Sequence, residues 1–375
     1  SQSRSSANLR EIPVVHGGGM NMQAQDNPDQ GAKIVSPAIA LHETKPLGLH
    51  PTFTMIEPGL GRAVVGFGDG SIKGLSLTLE GALVSSITKL SDTPLAGHAD
   101  IGGKGVLVGT DAGRLVSVNG DQAQVLSEVD GAWVSGTAVH DDVGVRAFVA
   151  NRELVVMDQA GDVRFRHDTH PSTLTGLSFS PDGAWVAVSH YGGVSVWATD
   201  GSTDAPVSLE WHGSHTAIAW SPCGKFIVTA MQDKEMHCWR WADKKGMRMS
   251  GYQAKIRSLS WTADSQYIAA SGADTVTSWD CSGDGPSGKP PLEFGYVYNG
   301  MVRHVAAHPT DAMVAGGYSD GTVMIGNVAQ ETAMIARPGG GKPIAGLAWS
   351  PDGQILVSAD EDGAFAVMRM RQGMA

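Results

Sequence analysis

Six of the chain's thirteen histidines are concentrated between residues 167 and 237. Imidazole is a common ligand for zinc and other transition metals, so this concentration suggests a metal site. Four of the six form the candidate ligand group: His170, His190, His212 and His215. The competing interpretation is that these histidines hold neighbouring parts of the chain together, and metal handling therefore stands as the alternative function.

A second group of residues has the composition of a protein-binding surface. Tyr252 lies five residues before Arg257, and the same spacing separates Tyr298 from Arg303. Tyr and Arg are enriched in interface hot spots because each combines a wide contact area with directional hydrogen bonds. The predicted partner-binding residues also include other large side chains in connecting segments: Tyr191, Trp211, Met231 and Tyr318. The alternative is that these aromatic residues pack between structural units.

Sequence motifs that would indicate a catalytic site are few. The glycines at 339–341 lie between predicted strands, so no helix N-terminus is available there to bind a phosphate group. The sequence has no Gly-x-Ser-x-Gly nucleophile motif on a strand-turn-helix unit. Because no nucleophile or general base is identifiable, we predict a non-enzymatic protein with no catalytic residues and no cofactor.

Composition narrows the class of protein. Hydrophobic residues make up 42% of the chain, charged residues only 17%, and there are 49 glycines, as expected for many short strands joined by tight turns. The net charge of -11 argues against a nucleic-acid partner. No segment approaches the roughly 18 consecutive apolar residues of a membrane helix, so we expect a soluble protein without a membrane partner, in the cytoplasm.

An internal repeat of about 40 residues is the strongest feature of the sequence. Four segments superimpose as a strand, a four-residue turn and a second strand, starting at Leu177, Ile218, Leu259 and Leu347. A third strand ends at Trp197, Trp239 and Trp279, which are 42 and 40 residues apart. Weaker copies give eight units in all, of which the segments starting at Leu177 and Ile218 are units 4 and 5.

The repeat resembles the WD-repeat β-propeller family over about residues 33–371. The resemblance is carried by the Ser-Pro-Asp-Gly turns at 180–183 and 350–353, by turn aspartates such as Asp233, and by the closing tryptophans, with one literal Trp279-Asp280 pair. In unit 5 the resemblance implies a buried hydrogen-bonded group made of His212, Thr229, Asp233 and Trp239. Unit 4 departs from the pattern, because Gly192 and Gly193 occupy the place of the turn aspartate.

The resemblance implies an all-β fold, a closed β-propeller of four-stranded antiparallel blades. We count eight blades, with seven as the alternative if one unit is misread. Residues 33–371 are expected to form one propeller domain, and residues 1–32 a flexible N-terminal segment or an added leader. The segment at 33–41 is predicted to pair near residues 364–370 and to close the ring, because a closed ring has no open sheet edges.

The resemblance also implies a function. Propellers of this family bind partners on the top face, where loops join the second to the third strand of a blade and the outer strand to the next blade. The predicted tyrosines, arginines, Trp211 and Met231 map to such loops. We therefore predict a scaffold that binds a protein or peptide on this face.

Overall fold

The computed structural model describes residues 35–78 and 81–371, and in this range the chain is built from β-strands. The first fifteen strands are β1 (Ile39–Glu43), β2 (Pro51–Glu57), β3 (Arg62–Phe67), β4 (Ser71–Thr78), β5 (Gly81–Lys89), β6 (Pro94–Ala99), β7 (Val106–Thr110), β8 (Arg114–Asn119), β9 (Gln122–Glu128), β10 (Val134–His140), β11 (Val145–Ala150), β12 (Glu153–Asp158), β13 (Val163–His167), β14 (Gly176–Phe179) and β15 (Trp185–Ala198).

Fifteen further strands follow, and two single-turn 3-10 helices, Pro58–Leu60 and Ile101–Gly103, precede β3 and β7. The strands are β16 (Val207–Trp220), β17 (Phe226–Met231), β18 (Glu235–Arg240), β19 (Lys245–Ser250), β20 (Leu259–Trp261), β21 (Tyr267–Ala270), β22 (Val276–Asp280), β23 (Leu292–Phe294), β24 (Val302–Ala307), β25 (Met313–Tyr318), β26 (Val323–Asn327), β27 (Thr332–Arg337), β28 (Ile344–Trp349), β29 (Ile355–Asp360) and β30 (Phe365–Met370). Within the described residues, no helix has the length and apolar character needed to cross a lipid bilayer.

The described strands form seven antiparallel sheets. Six of these sheets have four strands, and the seventh, β14 to β19, has six. Five of the four-stranded sheets contain strands that are consecutive in the chain, whereas the sixth has the order β1-β30-β29-β28. The all-β propeller architecture expected from the repeat is therefore present.

The number of sheets corrects the prediction of eight separate blades to seven. Units 4 and 5 share the six-stranded sheet, because β15 and β16 are each 14 residues long and pair with both neighbours. Gly192 and Gly193, with φ of +91° and +142°, let the chain turn inside β15 without interrupting the strand. The amide of Thr199 donates to the carbonyl of Ala184 at 2.9 Å, so the two ends of β15 lie side by side.

The apolar core lies between neighbouring sheets. Val186 and Val188 belong to a buried cluster shared with residues of β12, whereas Ala187 between them belongs to the cluster shared with β17. Alternate residues of one strand therefore pack against two different neighbours. This explains why whole strands such as β17, with the sequence FIVTAM, are buried on both faces.

The repeated Ser-Pro-Asp-Gly turn is held by its own side chains. The hydroxyl oxygen of Ser180 accepts from the amide of Trp185 at 3.0 Å, and the carboxylate of Asp182 accepts from the amide of Ala184 at 3.0 Å. Gly183 has a φ of +69°, which an L side chain adopts only with strain. Hydrogen bonds from Ser180 and Ala184 lower the pKa of Asp182, so the turn favours the ionised carboxylate.

The two ends of the described chain meet in one sheet. β1 pairs antiparallel with β30, from Ile39 opposite Met370 to Glu43 opposite Ala366. The strand thus lies beside the predicted partner segment but extends two residues past Leu41, whereas Lys33 and Ile34 are outside the described residues. The predicted N-terminal segment 1–32 also lies outside the described residues.

First strands lie next to one another around the molecule. β2 contacts β6, β6 contacts β10 and β24 contacts β28, so these strands are closest to the common axis. β28, the first strand of its sheet, also contacts β2. Phe67 of β3 and Phe365 of β30 meet edge to face, with ring centroids 6.4 Å apart, in a buried cluster between the first and last sheets.

Candidate functional site

One end of the strands collects the loops in which the predicted contact residues lie. Because consecutive strands are antiparallel, the turns between second and third strands emerge at the same end as the connections to the next sheet. We call this end the top face. Tyr191 lies in the turn of β15, and Trp211 lies in the connection from the outer part of that sheet to the inner part of β16.

Tyr191 and Trp211 are exposed and lie beside the same groove. Tyr191 is 51% exposed and Trp211 is 37% exposed. The Tyr191 ring meets the His212 ring edge to face at 5.7 Å, with its hydroxyl 3.4 Å from His212 Nε2. The groove has a volume of about 690 Å³, and Glu210 and His190 also line it.

A stack of rings fixes the orientation of Trp211. Its indole lies parallel to the His237 imidazole at 4.2 Å, and His237 in turn packs against the buried Trp239 at 4.4 Å. Both nitrogens of His237 are buried without a hydrogen-bond partner. Burial, with His215 and Arg248 nearby, lowers the pKa of His237 to about 3, so the ring is neutral at physiological pH. Trp211 is therefore an exposed aromatic surface held on a neutral, buried support.

In three of the four candidate metal ligands, both ring nitrogens have hydrogen-bond partners. His170 Nδ1 donates to the carbonyl of Arg152 at 2.8 Å, and its Nε2 accepts from the Trp197 indole at 3.0 Å. His190 donates to the carbonyl of Tyr191 and accepts from Ser195, both at 2.8 Å. A neutral imidazole has one donor and one acceptor, so no lone pair of these two rings is left for a metal.

His215 is engaged in the same way. Its Nε2 lies 2.8 Å from the carbonyl of Trp211 and its Nδ1 lies 2.7 Å from the Thr229 hydroxyl. The partner of Thr229 is therefore His215, and the expectation that His212 takes this place is corrected. In the part of the chain that the structure describes, no three His, Cys, Asp or Glu side chains are grouped to hold a metal ion.

Three of the predicted contact residues are buried, which corrects their expected exposure. Met231 is 1% exposed, Tyr252 8% and Tyr318 0%. The Tyr252 hydroxyl accepts from the Trp279 indole at 2.9 Å and donates to Met236 Sδ at 3.1 Å, whereas the Tyr318 hydroxyl donates to the carbonyl of Gly295. Desolvation raises the pKa of both tyrosines. These side chains close the spaces between sheets instead of facing a partner.

Two of the three remaining predicted contact residues lie at a second, smaller pocket. Arg257 and Arg303 line a pocket of about 230 Å³ together with Lys255, Met301 and Ser319. Tyr298, five residues before Arg303, is 59% exposed. The structure therefore brings the two arginines together and leaves Tyr298 open to solvent, whereas the buried Tyr252 and Tyr318 do not line this pocket.

Two exposed aromatic residues of the same face are absent from the sequence prediction. Trp133 is 69% exposed and comes directly before β10, and Tyr296 is 53% exposed, two residues before Tyr298. The position of Trp133 relative to its strand is the same as that of Met301 relative to β24. The repeat could therefore have pointed to Trp133, because Trp133 and Met301 each lie one position before the first strand of a sheet.

Four segments of the chain match the family model described as WD domain, G-beta repeat: residues 161–198, 206–240, 244–282 and 336–366. Telomerase protein component 1 of Rattus norvegicus is 25% identical over 351 residues, which cover 87% of this chain and 12% of that protein. Protein HIR1 of Kluyveromyces lactis is 24% identical over 251 residues, 55% of this chain and 29% of that protein. The chain thus spans less than a third of the length of these relatives.

Solved structures give the same fold. The chain superimposes on the C-terminal WD40 domain of Sif2 with a TM-score of 0.71 and 14% identity, covering 88% of this chain and 99% of that one. For the computationally designed protein Ika8 the TM-score is 0.70 and the identity 19%, covering 87% of this chain and 98% of that one. At these identities the likeness extends to the fold and no further.

Proposed function

The chain belongs to the WD-repeat β-propellers, and on this premise we propose that it is a non-enzymatic scaffold that binds a protein or peptide partner on its top face. The fold is one typically used for protein interaction, and similarity to Protein HIR1 and telomerase protein component 1 is in keeping with such a role. The proposal concerns the described sheets, because the relatives are much longer chains.

The exposed pair Tyr191 and Trp211 carries the proposal. Two large aromatic side chains beside one groove provide wide apolar contact, and each retains a polar atom for a directional hydrogen bond. The stack of Trp211 on His237 and Trp239 restricts the indole before any partner arrives. A restricted side chain loses less conformational entropy on binding than a free one.

The groove has room for an extended segment of a partner. Its volume of about 690 Å³ is open to solvent along the face, and its lining alternates aromatic rings with the polar side chains of Glu210, His190 and His212. Metal handling by the histidines is not favoured, since His170, His190 and His215 have both ring nitrogens in hydrogen bonds.

The test is partner capture by variants of the groove. Proteins from the native host that bind the immobilised wild-type chain are identified by mass spectrometry and then measured individually against Tyr191→Ala and Trp211→Ala. We expect each substitution to weaken the affinity by about tenfold or more, as for central aromatic contacts. Thermal denaturation of each variant monitors folding.

Leu83→Ala is the matched control, because Leu83 is 70% exposed on the outer strand β5, away from the groove. The control should bind like the wild type. Equal affinities for the wild type and both aromatic variants, with folding intact, would contradict the proposal.

We also propose that residues 33–371 form one domain whose ring is closed by β1. The pairing of β1 with β30 and the contact of β28 with β2 support this arrangement. The ion pair between Arg337 Nε and Glu43 Oε1, at 2.7 Å, links the end of β1 to the neighbouring sheet. A closed ring would keep the top-face residues of different sheets at fixed distances from one another.

A further inference from the structure

Two arginine side chains share one pocket at the top face. Arg257 lies just before β20, and Arg303 lies in β24, the first strand of the neighbouring sheet, which contacts β20. Both line the pocket of about 230 Å³, whose walls also include Ala254, Met301 and Val302. Lys255 adds a third cationic side chain to the lining.

These cations have no acidic partner in the described part of the chain. Seven arginines in the described residues form ion pairs with carboxylates, as expected for a chain with a net charge of -11: Arg62, Arg114, Arg146, Arg166, Arg240, Arg248 and Arg337. Among the described residues, no carboxylate lies within ion-pair distance of Arg257, Arg303 or Lys255. No described carboxylate therefore offsets the positive charge of the pocket through an ion pair.

A neutral donor accompanies the cations. The Ser319 hydroxyl oxygen accepts from the amide of Met301 at 2.9 Å, and the hydroxyl hydrogen is left to donate into the pocket. The field of the two arginines also acts on the adjacent His304. Burial, followed by the charges of Arg303 and Arg257, lowers the pKa of His304 to about 4, so this imidazole is neutral and adds no positive charge at pH 7.

We propose that this pocket binds a carboxylate side chain of an acidic peptide segment, with Arg257 and Arg303 as the paired donors and Ser319 as a third. The inference rests on the proposed function, because it specifies the chemistry of the partner that the top face binds. Guanidinium groups match carboxylates in charge and geometry. The volume is below the roughly 300 to 1,000 Å³ typical of small-molecule sites and suits one side chain.

The test compares peptide pools that differ only in their two central side chains. Fluorescent 13-residue pools with blocked ends carry a central Glu-x-Glu, Gln-x-Gln or phosphoserine-x-phosphoserine among randomised uncharged residues, and anisotropy reports binding to the full chain. The Glu pool should bind about tenfold or more tightly than the Gln pool, since two charge-assisted contacts are lost in Gln. The double variant Arg257→Gln/Arg303→Gln should remove this preference.

Arg164→Gln/Arg371→Gln is the matched control. It lowers the net charge equally through two exposed arginines that form no ion pair in the described structure, and it should retain the preference for the Glu pool. Both double variants should keep the melting temperature of the wild type, because none of the four side chains holds the fold through an ion pair.

Three results would overturn the inference: equal binding of the Glu and Gln pools, absence of Glu-pool binding at millimolar concentration, or unchanged binding in the Arg257→Gln/Arg303→Gln variant. A phosphoserine pool that binds more than tenfold tighter than the Glu pool would also overturn it, by assigning the pocket to phosphate. Partner capture that still depends on Tyr191 and Trp211 would then leave the proposed scaffold function standing.

Discussion

At the scale of single residues, identical spacing does not give identical roles. Tyr252 and Tyr298 each precede an arginine by five positions, yet Tyr252 is buried and Tyr298 is 59% exposed. The difference arises because Tyr252 is packed in a buried cluster with Trp279, whose indole N–H donates a hydrogen bond to the Tyr252 hydroxyl. Tyr252 therefore contributes to stability, whereas Tyr298 is available to a partner.

Removing the two hydroxyl groups tests this division. Tyr252→Phe leaves the buried Trp279 indole N–H without its acceptor, and we expect the free energy of unfolding to fall by about 1 to 2 kcal/mol. Tyr298→Phe, the matched control, should change it by less than about 0.5 kcal/mol, as for other surface substitutions. Urea denaturation followed by tryptophan fluorescence measures both, and equal midpoints for the two variants would contradict the assigned roles.

At the scale of elements, β15 decides how units 4 and 5 are joined. Its turn has no aspartate to accept backbone amides, so Gly192 and Gly193 provide the backbone conformation instead. The two glycines are not equivalent. A Cβ on Gly192 would have no heavy atom within 4 Å, whereas a Cβ on Gly193 would lie 2.0 Å from the Leu209 carbonyl oxygen of β16.

Alanine substitutions should separate these two positions. Gly192→Ala is strained only by its positive φ and should cost about 1 kcal/mol. Gly193→Ala adds a clash with backbone, which cannot be relieved by a rotamer change, and should cost about 3 kcal/mol or more. Denaturation midpoints give the comparison. If Gly192→Ala is the more damaging substitution, the close approach of β15 and β16 is not the constraint that we infer.

At the scale of the whole molecule, the pairing of β1 with β30 joins residues more than 300 positions apart in the chain. Without β1, the backbone groups of β30 would form an exposed sheet edge, and Arg337 would lose its ion pair with Glu43. Ile39, which is 3% exposed, would no longer cover the cluster of β26 and β28. The stability of all sheets should therefore depend on this one strand.

Truncation measures this dependence. Deletion of residues 1–43 should lower the melting temperature by about 5 °C or more, because several backbone hydrogen bonds and a buried side chain are lost together. Deletion of residues 1–32 alone leaves β1 in place and is the control, with an expected change of less than about 2 °C. Equal melting temperatures for the two truncations would show that β1 does not fasten the sheets.

The sequence by itself determined the class of fold and its repeated parts. The Ser-Pro-Asp-Gly turns, the alternation around Val186 and the closing tryptophans are local patterns, and each needs only residues close in the chain. Such patterns report which strand faces are apolar and where the chain turns. The all-β propeller, the approximate strand positions and the exposure of Tyr191, Trp211 and Tyr298 could therefore be predicted.

The tertiary structure alone decided which side chains share a site. Met231, Tyr252 and Tyr318 are buried by atoms of other sheets, and His215, not His212, reaches Thr229. The merging of units 4 and 5 into one sheet, and with it the count of seven, depends on pairing between β15 and β16. Burial and ion pairing depend on contacts between residues far apart in sequence. The repeat spacing does not show which residue of another sheet will lie opposite a given side chain.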